Sequence, residues 1–388
     1  MATGARFGRP LPRDKETDAA HTKPQETPGR ARMSWTLATE PIGSIPRPAE
    51  LIAALARTDC EDPALGPLYE AAIRDTLERF EAGGSPVVSD GEQRKYHNFA
   101  TYPVHGQANT AADGFRIAFA DGHSRRMPRL TRGPFSYRRY ADSYLEVAMR
   151  YAHVPVKQAV ISPSALSLMY PPEGIADYPR EQFIQDLLRE HETEIRRCLQ
   201  KGAHCVQIDF TEARLAVKLD PSGALLASLV DLNNLALARF SPQERRRIGV
   251  HTCPGGDLRS PHSAEVDYAD LLPRLFELNA GHFYVALACE RDRGRALQVM
   301  RKCLKANQRI FIGVTSPIDP RTETAEEVRD LVLQASEHIP AEQLGTTDDC
   351  GFAPFSDDTT RTRELAFAKI GARLRGTQLA AELIAGRA

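Results

Sequence analysis

One feature of the chain constrains its fold more than any other. From residue 36 onward, short apolar segments recur, each running into a polar or glycine-containing motif, with amphipathic stretches between most of them. The apolar segments are 37–42, 86–89, 156–161, 205–208, 248–250, 283–287, 310–314 and 343–345. The amphipathic stretches include 66–83, 181–201, 264–279, 293–307, 323–337 and 360–376. In the fifth of these, Val328, Leu331, Val332 and Ala335 follow the i, i+3, i+4 spacing of a helix with one buried face. Strand and helix alternating eight times predict an α/β fold, a single (β/α)8 TIM barrel. One connection breaks the rhythm. Residues 92–155 form a long insertion after the second strand, with Tyr137, Tyr140 and Tyr144 and a basic run at 125–132. An insertion placed after a strand lies on the face where such folds bind ligands.

Residues 1–33 differ from the rest: they are rich in Pro, Gly and charge and show no apolar period, which predicts a disordered tail ahead of a barrel over 34–388. Met33 offers an alternative start. Lys and Arg number 50 against 51 Asp and Glu, so charge does not favour nucleic acid or a membrane surface as a partner. No apolar run is long enough to cross a membrane, and the N-terminus lacks the apolar core of a secretory signal. The expectation is a cytoplasmic protein. Its seven cysteines then read as core thiols, metal ligands or a nucleophile rather than as a disulfide framework.

In a barrel the chemistry collects just past the carboxyl ends of the strands. Ser44 sits there after the first strand and Glu92 after the second. Asp209, followed by Glu212, comes after the fourth, His251 and Cys253 after the fifth, Glu290 after the sixth and Cys350 after the eighth. His251 and Cys253 are two apart, so an extended backbone turns both to one face. Two thiolates, an imidazole and a carboxylate suit tetrahedral Zn²⁺ and not Mg²⁺ or Ca²⁺. Such an electron-rich zinc is poor at making hydroxide but holds a substrate thiol in its reactive form. Buried packing is the competing reading for the His-x-Cys pair, and a Cys–His nucleophile dyad is another. Cys60, Cys198, Cys205, Cys289 and Cys303 are expected to fill the core. Glu92 and Asp209 could hold a substrate ammonium. Equally, they could form internal ion pairs with Arg47, Arg94 or Arg214. Ser44 lies in a Gly-Ser turn able to bind a carboxylate. Tyr96, His97 and Tyr102 open the insertion, and packing is favoured over pocket lining for His97.

Taken in order, residues 42–48, 90–92, 207–209, 250–253, Glu290 with Arg293, and 349–351 carry a resemblance. The chain resembles the catalytic C-terminal domain of cobalamin-independent methionine synthase. That superfamily also holds uroporphyrinogen decarboxylase and epoxyalkane:coenzyme M transferase. The resemblance implies a zinc-dependent methyltransferase that moves a methyl group to the thiol of homocysteine. It implies His251, Cys253, Glu290 and Cys350 as zinc ligands, Glu92 and Asp209 as holders of the homocysteine ammonium, and Ser44 as the receiver of its carboxylate. Three departures stand out: there is no second, N-terminal barrel, no histidine in segment 314–319, and no tryptophan beyond Trp35. The last two leave the methyl donor open between methyltetrahydrofolate and a methyl-corrinoid protein. Another thiol acceptor such as coenzyme M, or a decarboxylase of the uroporphyrinogen type, are the alternatives. Paired carboxylates count against a sulfonate thiol, and the His, Cys, Glu and Cys set counts against a metal-free decarboxylase.

Overall fold

The structure is a computed structural model that describes residues 37–95 and 98–386. The expected tail at 1–33, and the expectations for Trp35, Tyr96 and His97, lie outside the described residues.

The strands in chain order are β1 (Ala38–Thr39), β2 (Thr110–Ala111), β3 (Arg116–Ala118), β4 (Ser124–Arg126), β5 (Arg129–Leu130), β6 (Gln158–Ile161), β7 (Val206–Asp209), β8 (Ile248–Thr252), β9 (His282–Val285), β10 (Arg309–Gly313) and β11 (Leu344–Thr347). Seven of them form one parallel sheet in the order β1-β11-β10-β9-β8-β7-β6. Every residue of β6, β7, β8 and β11 is buried. This explains their legibility in the sequence, because a parallel strand covered on both faces reads as a short unbroken apolar run. Helices fall where periodicity places them, at Gly66–Ala82, Arg180–Gln200, Arg293–Cys303, Ala325–Ser336 and Arg363–Ala385. Thr324 and Glu327 close a reciprocal capping box that sets the start of Ala325–Ser336.

The expected second strand is the exception. Residues 86–89 contribute a single parallel bridge, Val88 to Val156, beside β6. Val88 N–H donates to Pro155 O at 3.0 Å, and Lys157 N–H donates to Val88 O at 2.8 Å. Pro86 has no N–H to extend the ladder, and the backbone turns away at Gly91 and Glu92, whose φ angles are +67° and +56°. On its other side this segment meets the turn after β1, where Ser89 Oγ donates to Gly43 O at 2.8 Å and Ile45 N–H to Gly91 O at 3.0 Å.

The insertion holds two antiparallel ribbons, β2 with β5 and β3 with β4. The second ribbon is tied to loops at the carboxyl ends of the sheet. Arg125 Nε donates to Asp257 at 2.6 Å and its terminal nitrogens to Asp357 at 2.8 Å, and the guanidinium lies 4.5 Å from the Phe355 ring centroid. The insertion therefore sits on the expected face. Cys60, Cys198 and Cys205 are buried as expected, but Cys289 is exposed and Cys303 only partly covered, so these two are not core fillers. Cys289 lies in the loop that leaves β9, and Cys303 ends a surface helix.

Candidate functional site

The carboxyl ends of the sheet strands open into a cavity that communicates with solvent. Ser44, Glu92, Asp209, His251 and Cys350 all line it.

His251 lies near the end of β8 and Cys253 follows it, while Cys350 follows β11. One ligand atom from each of His251, Cys253 and Cys350 lies within 4.8 Å of the other two. The two sulfurs are 3.0 Å apart. At that distance the pair shares a proton. The hydrogen bond from Cys253 lowers the pKa of the Cys350 thiol, and the same contact together with burial raises that of Cys253. Register brings Asp209 beside His251, since the two are paired residues of β7 and β8. Asp209 Oδ1 lies 3.2 Å from His251 Nδ1. Burial works against a charged His251, yet the bond to Asp209 and the neighbouring Cys350 hold its pKa above the ordinary value. A carboxylate on one ring nitrogen orients the ring; the other, Nε2, stands 3.4 Å from Asp349 O and is the nitrogen that could turn to a metal.

Three donors of the S, S, N type with a carboxylate behind the imidazole fit zinc, and a three-residue set leaves room for a substrate atom. Glu290 is not brought into this group. Its carboxylate pairs with Arg214 at 3.2 Å, both side chains being nearly buried. β9 ends at Val285, five residues earlier, and the intervening loop carries Glu290 away from the cluster.

The ammonium-binding pair takes shape differently. Glu92 has a left-handed backbone, a conformation costing on the order of 1–3 kcal/mol in a residue with a side chain, and its carboxylate is buried. Its near neighbour is Gly43, where an added Cβ would stand 2.5 Å from Glu92 Oε1. Lys95 Nζ lies 3.2 Å from the same oxygen. Burial and the nearby Asp209 outweigh that lysine, and the Glu92 pKa rises to about 6. Of the arginines considered as partners, Arg47 instead donates to the backbone carbonyls of Glu92, Gln93 and Lys95, and Arg214 is taken by Glu290. The Glu92-x-x-Lys95 spacing is the sequence signal for this partner. Ser44 Oγ accepts from Ala353 N–H at 3.2 Å, and Gly351 lets the β11 loop approach it, since a Cβ there would fall 2.1 Å from that oxygen. Tyr102 packs away from the cavity and donates to Glu194 at 2.8 Å.

Asp348 and Asp349 precede Cys350 and fix it from two sides. Asp348 accepts from Thr315 at 2.7 Å and pairs with Arg373 at 3.1 Å. Asp349 accepts the N–H groups of Leu287, Ala288 and Cys289 at 2.8–2.9 Å, which ties the β9 loop to the β11 loop.

A parallel α/β fold with a His, Cys and Cys group that could hold a metal ion, and buried acids beside it at the carboxyl ends of its strands, is the class of protein this chain falls in. Within it, residues 37–372 match the model for the catalytic domain of the cobalamin-independent synthases, and the chain belongs to that family. A methionine synthase of Methanothermobacter thermautotrophicus is 25% identical over 313 residues, covering 78% of this chain and 86% of that protein. A 5-methyltetrahydropteroyltriglutamate–homocysteine methyltransferase of Nitratidesulfovibrio vulgaris is 24% identical over 353 residues, covering 88% of this chain and 42% of that longer protein. Among solved structures, a B12-independent methionine synthase from a Shewanella species superposes with a TM-score of 0.69 at 18% identity, covering 90% of this chain and 99% of that one. At that identity the likeness speaks to the fold.

Proposed function

We propose that this chain is a zinc-dependent methyltransferase that methylates the thiol of homocysteine to give methionine, on a sheet closed as a (β/α)8 barrel. Closure is supported by the bonds of segment 88–91 to β6 on one side and to the turn after β1 on the other. The observation that carries the function is one cavity lined both by donors of the metal group and by the acids Glu92 and Asp209. The names of the relatives support the same reaction.

His251, Cys253 and Cys350 would hold the metal, with Glu290 kept by Arg214 as an outer carboxylate. When bound, zinc supplies the Lewis acidity that keeps an acceptor sulfur in its thiolate form at neutral pH. Glu92 and Asp209 receive the amino acid's ammonium, which restores the charge balance that their burial upsets. Ser44 faces its carboxylate. Holding the amino acid at both ends would fix the position of its sulfur beside His251, Cys253 and Cys350, the residues that would hold the metal. Two donor chemistries remain consistent with this half of the cavity: a methyl on the nitrogen of a reduced pterin, and a methyl on the cobalt of a corrinoid protein. Among the described residues no helix is long and apolar enough to cross a membrane.

Zinc-edge X-ray absorption with and without L-homocysteine tests the proposal. Two sulfur neighbours rising to three on addition of the amino acid is the expected result. A two-sulfur site that ignores homocysteine removes it as the acceptor, and a protein that binds no zinc overturns the metal assignment.

A further inference from the structure

Lys95 is a buried cation that none of these roles uses. Its ammonium lies 3.2 Å from Glu92 Oε1, both side chains being almost wholly buried. Glu92 lines the cavity, whereas Lys95 borders a separate pocket with Arg47 and Tyr69. The carboxylate thus faces the cavity, and the ammonium meets it from outside the lining. Among the described residues nothing meets Lys95 Nζ with hydrogen-bond geometry, so charge holds the pair.

The turn that carries both residues is tied down. Glu92 N–H donates to Asp90 Oδ1 at 2.8 Å, and Lys95 N–H donates to Glu92 O at 3.1 Å. Arg47 Nη2 donates to the carbonyls of Glu92 and Lys95, each at 2.9 Å. The Gln93 amide donates to Ile45 O at 2.8 Å. The Tyr102 ring centroid lies 5.0 Å from Lys95 Nζ, and the Tyr102 hydroxyl is spent on Glu194, so the ring is what meets the cation.

Resting on the homocysteine reading above, we infer that Lys95 is the positioning residue that keeps Glu92 charged in the empty cavity, and so makes the acceptor site select thiols that carry an ammonium group. A buried carboxylate stripped of its counter-charge takes up a proton instead. A neutral carboxyl offers an ammonium no charge, and the site then binds thiols with and without an amino group alike.

The electrostatics support this role. Burial pushes the Glu92 pKa up, Lys95 pulls it down, and Asp209 and Asp90 add to the rise, leaving it at about 6. Burial works against a charged Lys95, yet Glu92, Asp209 and Asp90 hold its pKa above the ordinary value. The groups that face the pair are Asp90 and Arg47 beside the turn, Asp209 at the end of β7, and Tyr102 and Glu194 beyond Lys95.

The test uses zinc-loaded wild type, Lys95→Met, Lys95→Arg, Glu92→Gln and the double variant Glu92→Gln/Lys95→Met. Calorimetric titration gives their affinities for homocysteine and for γ-mercaptobutyrate, its counterpart without the amino group. Relative to wild type at the same pH, Lys95→Met should bind homocysteine about 10-fold more weakly near pH 7 and recover near pH 9, because each unit of rise in a pKa above the assay pH removes tenfold of the charged form. Its affinity for γ-mercaptobutyrate should not fall, and Lys95→Arg should keep the wild-type pattern. In the Glu92→Gln background, Lys95→Met should have no further effect, a comparison that stands even where the single variant fails to fold. A loss equal at both pH values and for both thiols would make Lys95 a merely structural residue and overturn the inference. Unchanged homocysteine binding by Lys95→Met, or a further loss in the Glu92→Gln background, overturns it too. Glu92→Gln that binds homocysteine as wild type does overturns the underlying reading of the acid instead. Independently of any substrate, metal-free Lys95→Met near pH 7 should show a protonated-carboxyl infrared band that the double variant lacks; its absence overturns the inference whatever the acceptor is.

Discussion

The two ends of the sheet bury carboxylates in opposite ways. Near the amino ends of β6, β7 and β9, Glu40 is surrounded by cationic or polar partners. Lys157 Nζ lies at 3.6 Å, His204 Nε2 at 3.3 Å, and the Tyr284 hydroxyl donates at 2.6 Å. Burial alone would raise the Glu40 pKa, but His204 and Lys157 win and it falls to about 2. At the carboxyl ends Glu92, Asp209 and Glu212 crowd one cavity, and Lys95 is the cation that meets Glu92. There burial wins, and Glu92 and Glu212 rise to about 6 and about 7. The contrast teaches where cations are missing. One end is electrostatically complete as folded, while the other has a surplus of negative groups suited to a metal dication and a substrate ammonium.

Removing the proposed metal donors should break the incomplete end most severely. Cys253→Ser or Cys350→Ser should abolish tight zinc binding and lower methyl transfer by about a thousandfold or more, since a Lewis acid contributes several kcal/mol to such a step. Zinc content and turnover measured on one sample check this, and activity without bound metal would sink the mechanism.

At the complete end the effect should appear in stability. Glu40→Gln leaves Lys157 buried without its counter-charge, at a cost of about 3–5 kcal/mol by urea denaturation. The pH dependence has a definite sign. The Glu40 pKa is lowered on folding from 4.5 to about 2, so its contribution is present above about pH 4.5 and is lost as pH falls toward 2. Wild type and variant should converge in acid; parallel curves would mean that Glu40 is not the group responsible.

The smallest expected effect separates the two acids proposed to face the ammonium. Glu92→Gln should weaken homocysteine binding about 10–100-fold with zinc content unchanged, the loss of one charge-assisted contact. Asp209→Asn should weaken both ligands, because Asp209 also holds His251, and loss of such an outer partner lowers metal affinity about 10–100-fold. Calorimetric titration of each ligand distinguishes the pair, and identical behaviour of the two variants would show that the contact to His251 has no energetic weight.

Legibility in the sequence followed the same division. Buried parallel strands announced themselves as apolar runs, and His251, Cys253, Cys350, Asp209 and Glu92 stood at the places where a barrel puts its chemistry. The helix Ala224–Leu237 leaves no such signal, because apolar residues occupy most of its faces, which erases the period that marks a half-buried helix. Glu290 shows the limit of counting from strand ends: a loop of a few residues can turn a side chain either toward the cavity or toward Arg214, and spacing carries no such direction. The Glu40 cluster was invisible for another reason. Lys157, His204 and Tyr284 lie more than a hundred residues away along the chain, and only the register of the strands brings them together.

Three consecutive residues, Asp348, Asp349 and Cys350, each serve a different neighbourhood: Arg373 below, the Leu287–Cys289 amides to the side, and the donor cluster in front. The thiol is thus anchored by bonds that need no metal to form. In small zinc-dependent modules the ion drives the chain to fold. Under the proposed zinc chemistry the order would be reversed, with the ion loaded into a scaffold already assembled, so chelators should strip activity from this chain and leave its cooperative unfolding in place.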